Sequence, residues 1–233
     1  MQNWNLNTIR QGLRTLVYPE NCLICSAPNQ TVCDLCLQSW RKIPVRFQIE
    51  NFNIYAVVPY DTFSSGVVLK AKEDRNKVAQ NLMAEALASA IMHWRNANRN
   101  VQLLLVPIPS SKQAIRRRGE SFLHPILERA LAICKNQGAS EIKWESILIH
   151  QKKVKDQSKL SFSERSANLE NAFKVSNVSA LQRSLEYTKI ILIDDVVTTG
   201  ATLLSAARAL SERNMTVLGA AAVCASAHRL LIR

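Results

Sequence analysis

The sequence predicts an α/β fold with a mostly parallel sheet flanked by helices, preceded by a small module built around four cysteines. From about residue 53 onward, apolar strand-like runs alternate with helix-like runs, which is the pattern of a largely parallel sheet. Four of the six cysteines fall between positions 22 and 36. The 233 residues, 47% of them hydrophobic, allow one sizeable domain and a smaller one. We therefore expect a module over residues 1–50 and a larger domain over 51–233.

The chain carries a large excess of positive charge. Thirty Lys and Arg residues against eighteen Asp and Glu residues give a formal net charge of +12, which attracts polyanions such as phosphates, nucleic acid or an anionic membrane surface. Asn, Arg and Gln interrupt the apolar positions of the first residues, so no secretion signal is predicted. No run of about 18 apolar residues predicts a membrane span. We expect a cytoplasmic protein.

Two CxxC pairs form the cysteine module, in the stretch CLICSAPNQTVCDLC. A CxxC turn directs two thiolates at one centre, and two such turns complete the four tetrahedral sulfur ligands that zinc prefers. Disulfides and four unrelated buried thiols are the alternatives, but a reducing cytosol disfavours structural disulfides and chance pairing at this spacing is rare. A closed four-thiolate site leaves no open coordination position, so the expected zinc is structural. The expected ligands are Cys22, Cys25, Cys33 and Cys36.

Helical patterns flank these cysteines. Apolar residues recur at helical spacing over residues 6–17, and the stretch DLCLQSWRKIP predicts a short helix that ends before Pro44. A module of this size is too short to hold itself together by core burial alone. The remaining cysteines, Cys134 and Cys224, lie in apolar segments and are expected to be small buried hydrophobic residues.

The larger domain is predicted element by element from its periodicity. The expected strands cover residues 54–60, 101–109, 146–150, 189–195 and 216–224, and the expected helices cover 77–94, 120–135 and 200–213. In sheets of this kind, ligands bind at the carboxyl ends of the strands. The most specific string of the chain, IILIDDVVTTGAT, lies at such an end.

This string combines two chemistries. After an apolar strand come Asp194 and Asp195, and the segment 198–202 then supplies hydroxyls, a glycine and successive backbone N–H groups at the start of a helix. Unpaired N–H donors and the helix dipole favour a phosphate there. The two carboxylates would repel a phosphate, so they are expected to hold the vicinal hydroxyls of a ribose, with a divalent metal ion offsetting their charge. Simple helix capping is the alternative, but it requires only one acid.

The string resembles the phosphoribosyl pyrophosphate (PRPP) motif of type I phosphoribosyltransferases. The resemblance implies a type I phosphoribosyltransferase-like fold in which Asp194 and Asp195 hold the ribose hydroxyls. It assigns the 5-phosphate to Thr198, Thr199, Gly200, Ala201 and Thr202. A loop after an earlier strand binds pyrophosphate in this family, and the stretch LLLVPIPSSK offers Pro109, Ser110, Ser111 and Lys112 for that position.

The layout of a four-cysteine module before such a domain is similar to the ComF family of bacterial competence-related proteins. The similarity covers nearly the whole chain, through YPENCLIC, CDLC, VVLKAKEDRNKVAQNLMAEAL, VPIPSSKQAIRRRGESF, DQSKLSFSERSANLENAF and ILIDDVVTTGAT. It implies PRPP binding with Mg²⁺, a role in handling single-stranded DNA during uptake, and a helicase-like partner. One departure stands out: the family continues Arg-Gly with Phe-Asn-Gln, whereas here Glu120, Ser121 and Phe122 follow.

Two basic runs flank the predicted phosphate site. The first comprises Lys112, Arg116, Arg117 and Arg118, and the second comprises Lys152, Lys153, Lys155, Lys159 and Arg165. Runs of this kind are often only solvated faces. Here they could also offset the charge of pyrophosphate or follow the backbone of single-stranded DNA. Whether the protein transfers the phosphoribosyl group, and to which acceptor, stays open at this point.

Overall fold

The computed structural model describes residues 21–151, 172–176 and 188–226. The strands are β1 (Val45–Ile49), β2 (Phe52–Tyr60), β3 (Gln102–Pro107), β4 (Lys143–Trp144), β5 (Leu148–His150), β6 (Phe173–Val175), β7 (Thr188–Val197) and β8 (Thr216–Ser226). The helices are α1 (Asp34–Trp40), α2 (Thr62–Glu73), α3 (Lys77–Ala97), α4 (Lys112–Arg118), α5 (Leu123–Asn136) and α6 (Ala201–Ser211).

Among these residues, six strands form one sheet in the order β1-β2-β8-β7-β3-β4. Every neighbouring pair is parallel except β1 with β2, which are antiparallel. The predicted mostly parallel sheet flanked by helices is therefore confirmed. β1 precedes the expected boundary at residue 50 but pairs with the sheet of the larger domain. Each parallel connection, such as β7 to β8 through α6, brings the chain back to the same edge, so the carboxyl ends of β2, β3, β7 and β8 lie together.

Both faces of the sheet are buried, as the continuous apolar strands predict. In β7, Ile191 and Ile193 pack into the core layer that contains residues of α2, α3 and α5, whereas Ile190 and Leu192 pack into the opposite layer with α6. This alternation follows from the two-residue period of a strand.

Helix α3 is anchored to the sheet by an indole. Trp94 Nε1 donates a hydrogen bond of 2.8 Å to the carbonyl oxygen of Ala220 in β8. Next to it, a Cβ atom on Gly219 would lie 2.2 Å from the Asn53 carbonyl oxygen and 2.5 Å from Trp94 Cζ2. Glycine at position 219 is thus what allows β8, β2 and α3 to approach each other so closely.

Two expectations need correction. The strand predicted over 146–150 exists as β5, but it pairs antiparallel with β6 in a separate two-stranded sheet and adds nothing to the main one. The strand predicted to end with the two acids continues to Val197, because β8 supplies backbone partners as far as Ala225. Tertiary pairing, invisible in a local pattern, sets both outcomes.

Other expectations hold. Cys134 and Cys224 are fully buried among apolar residues, and burial raises the pKa of the Cys134 thiol to about 11. Helix α1 ends four residues before Pro44, as predicted. The expected helix over residues 6–17 and the second basic run lie outside the described residues. Within the described ranges, no helix is long and apolar enough to cross a membrane.

Candidate functional site

The two adjacent acids occupy consecutive positions near the carboxyl end of β7. The carboxylate of Asp195 reaches the end of α2, where Lys72 contacts it. The backbone N–H of Asp195 donates a hydrogen bond of 2.9 Å to Asp194 Oδ1. The two carboxyl groups stay close together, since, in addition to burial, a side-chain hydrogen bond with Asp195 contributes to the raised pKa of Asp194.

The surroundings of Asp194 disfavour the charged form of its carboxyl group. Burial, and after it the negative charge of Asp195, raises the pKa of Asp194 well above its usual range, while the positive charge of Lys72 acts in the opposite direction. A carboxyl group in this situation gains from a hydroxyl donor or a cation. The pair of oxygen donors fits a hard divalent cation or the hydroxyl groups of a sugar.

Asp195 has a cationic partner that the sequence did not reveal. Lys72 Nζ, in the last turn of α2, donates to Asp195 Oδ2 over 2.9 Å. The ammonium also lies 5.2 Å from the ring centroid of Phe122. A lysine in the last turn of an amphipathic helix is usually solvated, so only the folding of α2 over the carboxyl end of β7 identifies Lys72 as part of this site.

The turn after β7 is built around one glycine. Gly200 has a φ of 82°, in the left-handed region, and precedes the first residue of α6. A Cβ atom there would also lie 2.2 Å from Ile49 Cδ1, the last side chain of β1. The positive φ of residue 200 and its close approach to Ile49 both require glycine. Without a side chain, the turn can lie close to β1. No sequence signal marks Ile49 as the residue that packs against this turn.

The start of this turn is held by β8. The hydroxyl of Ser226 donates to the carbonyl oxygens of Val197 and Thr198, at 3.3 and 3.1 Å. The hydroxyl of Thr199 accepts a hydrogen bond of 3.4 Å from the N–H of Ala201. Both threonines are exposed. The segment is therefore a fixed turn at the N-terminus of an 11-residue helix, the arrangement that suits an anion.

The predicted pyrophosphate segment follows β3 at the same edge. Ser111 caps α4, because its hydroxyl oxygen accepts a hydrogen bond of 3.2 Å from the N–H of Ala114. Ser110 is half-buried. The carbonyl oxygen of Pro109 accepts a hydrogen bond of 2.9 Å from His150 Nε2 of β5. The small second sheet therefore braces the segment. Lys112 begins α4, and its side chain lies outside what the structure describes.

The three arginines of α4 differ in their surroundings. Arg117 Nη2 donates to Glu73 Oε1 over 2.8 Å, and Arg118 Nη1 lies 3.8 Å from the same oxygen. The Arg116 side chain is exposed, and no ion pair to it occurs among residues 21–151, 172–176 and 188–226. The sequence shows no acid within this run, but α2 supplies one. Glu73 directly follows Lys72.

Arg118 is the buried member of the three. Its side chain is 10% exposed, and Nη1 is one of three buried side-chain atoms without a hydrogen-bond partner in the described part of the chain, with Ser121 Oγ and Ser205 Oγ. A buried guanidinium donor without a hydrogen bond is costly, and the 3.8 Å ion pair with Glu73 offsets that cost only in part. Arg118 and Ser121 lie on either side of Gly119, the residue after the last turn of α4, which has a φ of 83°. Donors of this kind are available to an anion.

The four cysteines of the module come together as predicted. Their sulfur atoms all lie within 4.8 Å of one another, and no disulfide joins them. In a tetrahedral zinc site with sulfur at about 2.3 Å, sulfur atoms are about 3.8 Å apart, so the cluster fits. Burial acts to raise the pKa of Cys22, but backbone hydrogen bonds from Cys25, Cys33 and Ile24 outweigh it and lower that pKa to about 6. The cluster is positioned to hold a metal ion.

The module packs on the larger domain through α1. Trp40, 2% exposed, lies in the core layer that also holds residues of α3 and α5. Arg41 Nε donates to Glu85 of α3 over 2.8 Å. The helix that follows the cysteine cluster therefore places Trp40 in the main core.

Residues 115–231 match the family described as "Phosphoribosyl transferase domain", which is half of the 233-residue chain. The matched region holds β7, the acid pair and the turn before α6. No curated protein matches the chain significantly. The cysteine cluster and Lys72 precede the matched residues.

Proposed function

Because the chain belongs to the phosphoribosyl transferase domain family, we propose that it binds PRPP together with Mg²⁺ at the carboxyl edge of its main sheet. The observation that carries the proposal is the sequence of Asp194, Asp195 and the Gly200 turn along one strand and helix start. Asp194 and Asp195 hold the ribose hydroxyls. The 5-phosphate is bound by Thr198, Thr199, Gly200, Ala201 and Thr202.

The pyrophosphate group lies against the segment after β3 and against α4 in this proposal. Ser110, Ser111 and Lys112 supply donors, and Arg116, Arg117 and Arg118 supply positive charge. Support comes from Arg118, because its buried Nη1 atom has no hydrogen-bond partner among the described residues. Mg²⁺, when bound with PRPP, offsets the charge of the carboxylates and the phosphates.

The test is thermal melting with PRPP and Mg²⁺. Wild type should be stabilised, and the variant Asp194→Asn/Asp195→Asn should lose that response. Glu128→Gln/Glu145→Gln is the matched control, since it removes two negative charges at exposed positions. If PRPP does not shift the melting temperature of the wild type, the proposal fails.

Phosphoribosyl transfer is a candidate activity that the family match favours. A nucleophile would form a bond to the anomeric carbon while the bond to pyrophosphate breaks, its electron pair leaving with the pyrophosphate. The transition state is cation-like, so this chain's part is to position the ribose and stabilise charge on the leaving group. Release of pyrophosphate, measured against a panel of bases and amines, tests turnover and identifies the acceptor.

Handling of single-stranded DNA, as in the ComF family, is the second candidate. The net charge of +12 and the exposed guanidinium groups of Arg116 and Arg117 favour it. Arg118 is too buried to follow a DNA backbone. The work would take place in the cytoplasm with a helicase-like partner, and a structural zinc ion in the module over residues 1–50 would support the 51–233 domain.

Salt-titrated binding of a single-stranded oligonucleotide tests this role. Replacement of Arg116 and Arg117 by Gln should lower the affinity and the slope against salt concentration. Lys42→Gln/Lys143→Gln, at two exposed lysines outside α4, is the control with the same change of charge. Equal losses of affinity in both variants would mean that the DNA responds only to the net charge and that α4 is not a specific binding site for it.

A further inference from the structure

The ammonium group of Lys72 is held beside the acid pair by two contacts. It donates to Asp195 Oδ2 over 2.9 Å, and it lies 5.2 Å from the centroid of the Phe122 ring. The Lys72 side chain is 33% exposed and that of Asp195 only 16%, so water screens this pair less than an open surface pair. Phe122 is itself buried and cannot easily turn away.

Helix α2 is also held by contacts other than this ion pair. Val67, Val68 and Ala71 bury one side of α2 in the main core. Asp61 caps the first turn, accepting from the N–H groups of Phe63 and Ser64 at 2.9 Å each. A lysine placed on a carboxylate at the end of a helix already fixed by packing and capping is available for a role at the site.

We propose that Lys72 is a positioning residue of the PRPP site, which offsets the charge of Asp194 and Asp195 and so makes part of the PRPP affinity independent of Mg²⁺. This inference rests on the proposed function. The acid pair repels a polyanion that approaches it, and a cation fixed on Asp195 lowers that repulsion. The phosphates of the ligand add negative charge around the ammonium, so Lys72 stays in place when the ligand binds.

The charges that face Lys72 support this assignment. Asp195 contacts the ammonium directly, and the positive charge of Lys72 also acts on Asp194. The neighbouring acid, Glu73, is engaged by Arg117 and does not take the ammonium away from the pair. Phe122 is one of the residues at which the chain departs from the ComF pattern, and here its ring flanks the ammonium.

The test compares PRPP affinity with and without Mg²⁺ in Lys72→Met, Lys72→Arg and Lys70→Met. Lys70 is exposed on the same helix, so Lys70→Met removes the same charge away from the pair. Lys72→Met should lower the affinity without Mg²⁺ about tenfold and with saturating Mg²⁺ much less, because the metal ion takes over the neutralisation. Lys72→Arg should restore most of the loss, and Lys70→Met should resemble the wild type.

Other outcomes overturn the inference. If Lys72→Met lowers only the melting temperature, the lysine is structural, and if it tightens PRPP binding, the ammonium competes with the ligand. Binding of Mn²⁺ without PRPP, followed by electron paramagnetic resonance, provides an independent measurement. It should tighten in Lys72→Met, because a repelling cation is gone, and equal Mn²⁺ affinities would also contradict the inference. A wild type that binds Mn²⁺ but no PRPP would instead refute the proposed function.

Discussion

Lys72 and Asp195, 123 positions apart in the chain, form an ion pair of 2.9 Å at the carboxyl edge of the sheet. The next residue, Glu73, pairs with Arg117 of α4 at 2.8 Å. Two consecutive residues in the last turn of α2 thus engage the acid pair and the basic helix. The end of α2 connects the two segments that the sequence assigns to different parts of one ligand.

Replacement of Glu73 by Gln should release Arg117 and Arg118 for an anion. We expect pyrophosphate to bind about two- to five-fold more tightly, since a partly exposed ion pair is worth up to about 1 kcal/mol. Titration calorimetry with pyrophosphate measures the change. Asp74→Asn, at the exposed neighbouring position, is the control for the loss of one negative charge. An affinity that falls would show that Glu73 orients the arginines instead.

Asp194→Asn should raise the stability of the unliganded protein at neutral pH while weakening PRPP binding. Since folding raises the pKa of Asp194, the protonated form is favoured in the native state, and wild-type stability decreases as pH rises from the usual range of an aspartate through the raised pKa. The variant lacks this decrease and should gain roughly 1 kcal/mol at pH 7. Chemical denaturation between pH 4 and about 8 measures it. Equal pH profiles for both proteins would contradict the argument.

Gly200→Ala should be destabilising for two separable reasons. A left-handed φ costs an alanine about 1 kcal/mol, and the new methyl group overlaps Ile49 Cδ1. Ile49→Val removes that carbon atom. A double-mutant cycle should therefore show that Gly200→Ala costs about 1 kcal/mol less in the Ile49→Val background. Strict additivity would mean that β1 moves away from the turn without cost.

Arg118→Met should lower the affinity for pyrophosphate about tenfold, because a buried charge-assisted hydrogen bond is worth roughly 1.5 kcal/mol or more. Arg116→Met, at an exposed guanidinium group, should lower it less than threefold. Calorimetry at two salt concentrations distinguishes a buried from an exposed arginine, since only the loss of pyrophosphate affinity in Arg116→Met should become smaller at high salt. Similar losses at both salts in both variants would contradict a buried role for Arg118.

Removal of the metal from the cysteine module should destabilise the chain beyond the module itself. We expect one zinc ion per chain by elemental quantification, and a chelator or Cys36→Ser should lower the melting temperature, because α1 no longer holds Trp40 in the main core. Cys134→Ala, at a buried cysteine outside the cluster, should keep its zinc. Full retention of zinc in Cys36→Ser would contradict four-cysteine ligation.

Local patterns were sufficient for much of the fold. The strand over 189–195, the helix over 77–94 and the cysteine cluster have strong signals, because periodicity and motif spacing depend on neighbours in the chain. The short strands β4 and β6 and the helix α4 carry little apolar periodicity, and they form because the sheet edge or the Ser111 cap offers partners. The pairing of β5 with β6 rather than with the main sheet is equally a matter of tertiary contacts.

By itself the sequence determined the chemistry of this protein: an acid pair, a glycine turn before a helix, a basic run and four thiols at metal-ligand spacing. These depend on residue types at fixed separations along one strand or turn. Only the tertiary structure decided that Lys72 neutralises Asp195, that Glu73 engages the arginines, and that Ile49 confines Gly200. Those relationships are contacts between residues that are far apart in the chain. They depend on distances in the folded structure, so no local sequence pattern indicates them.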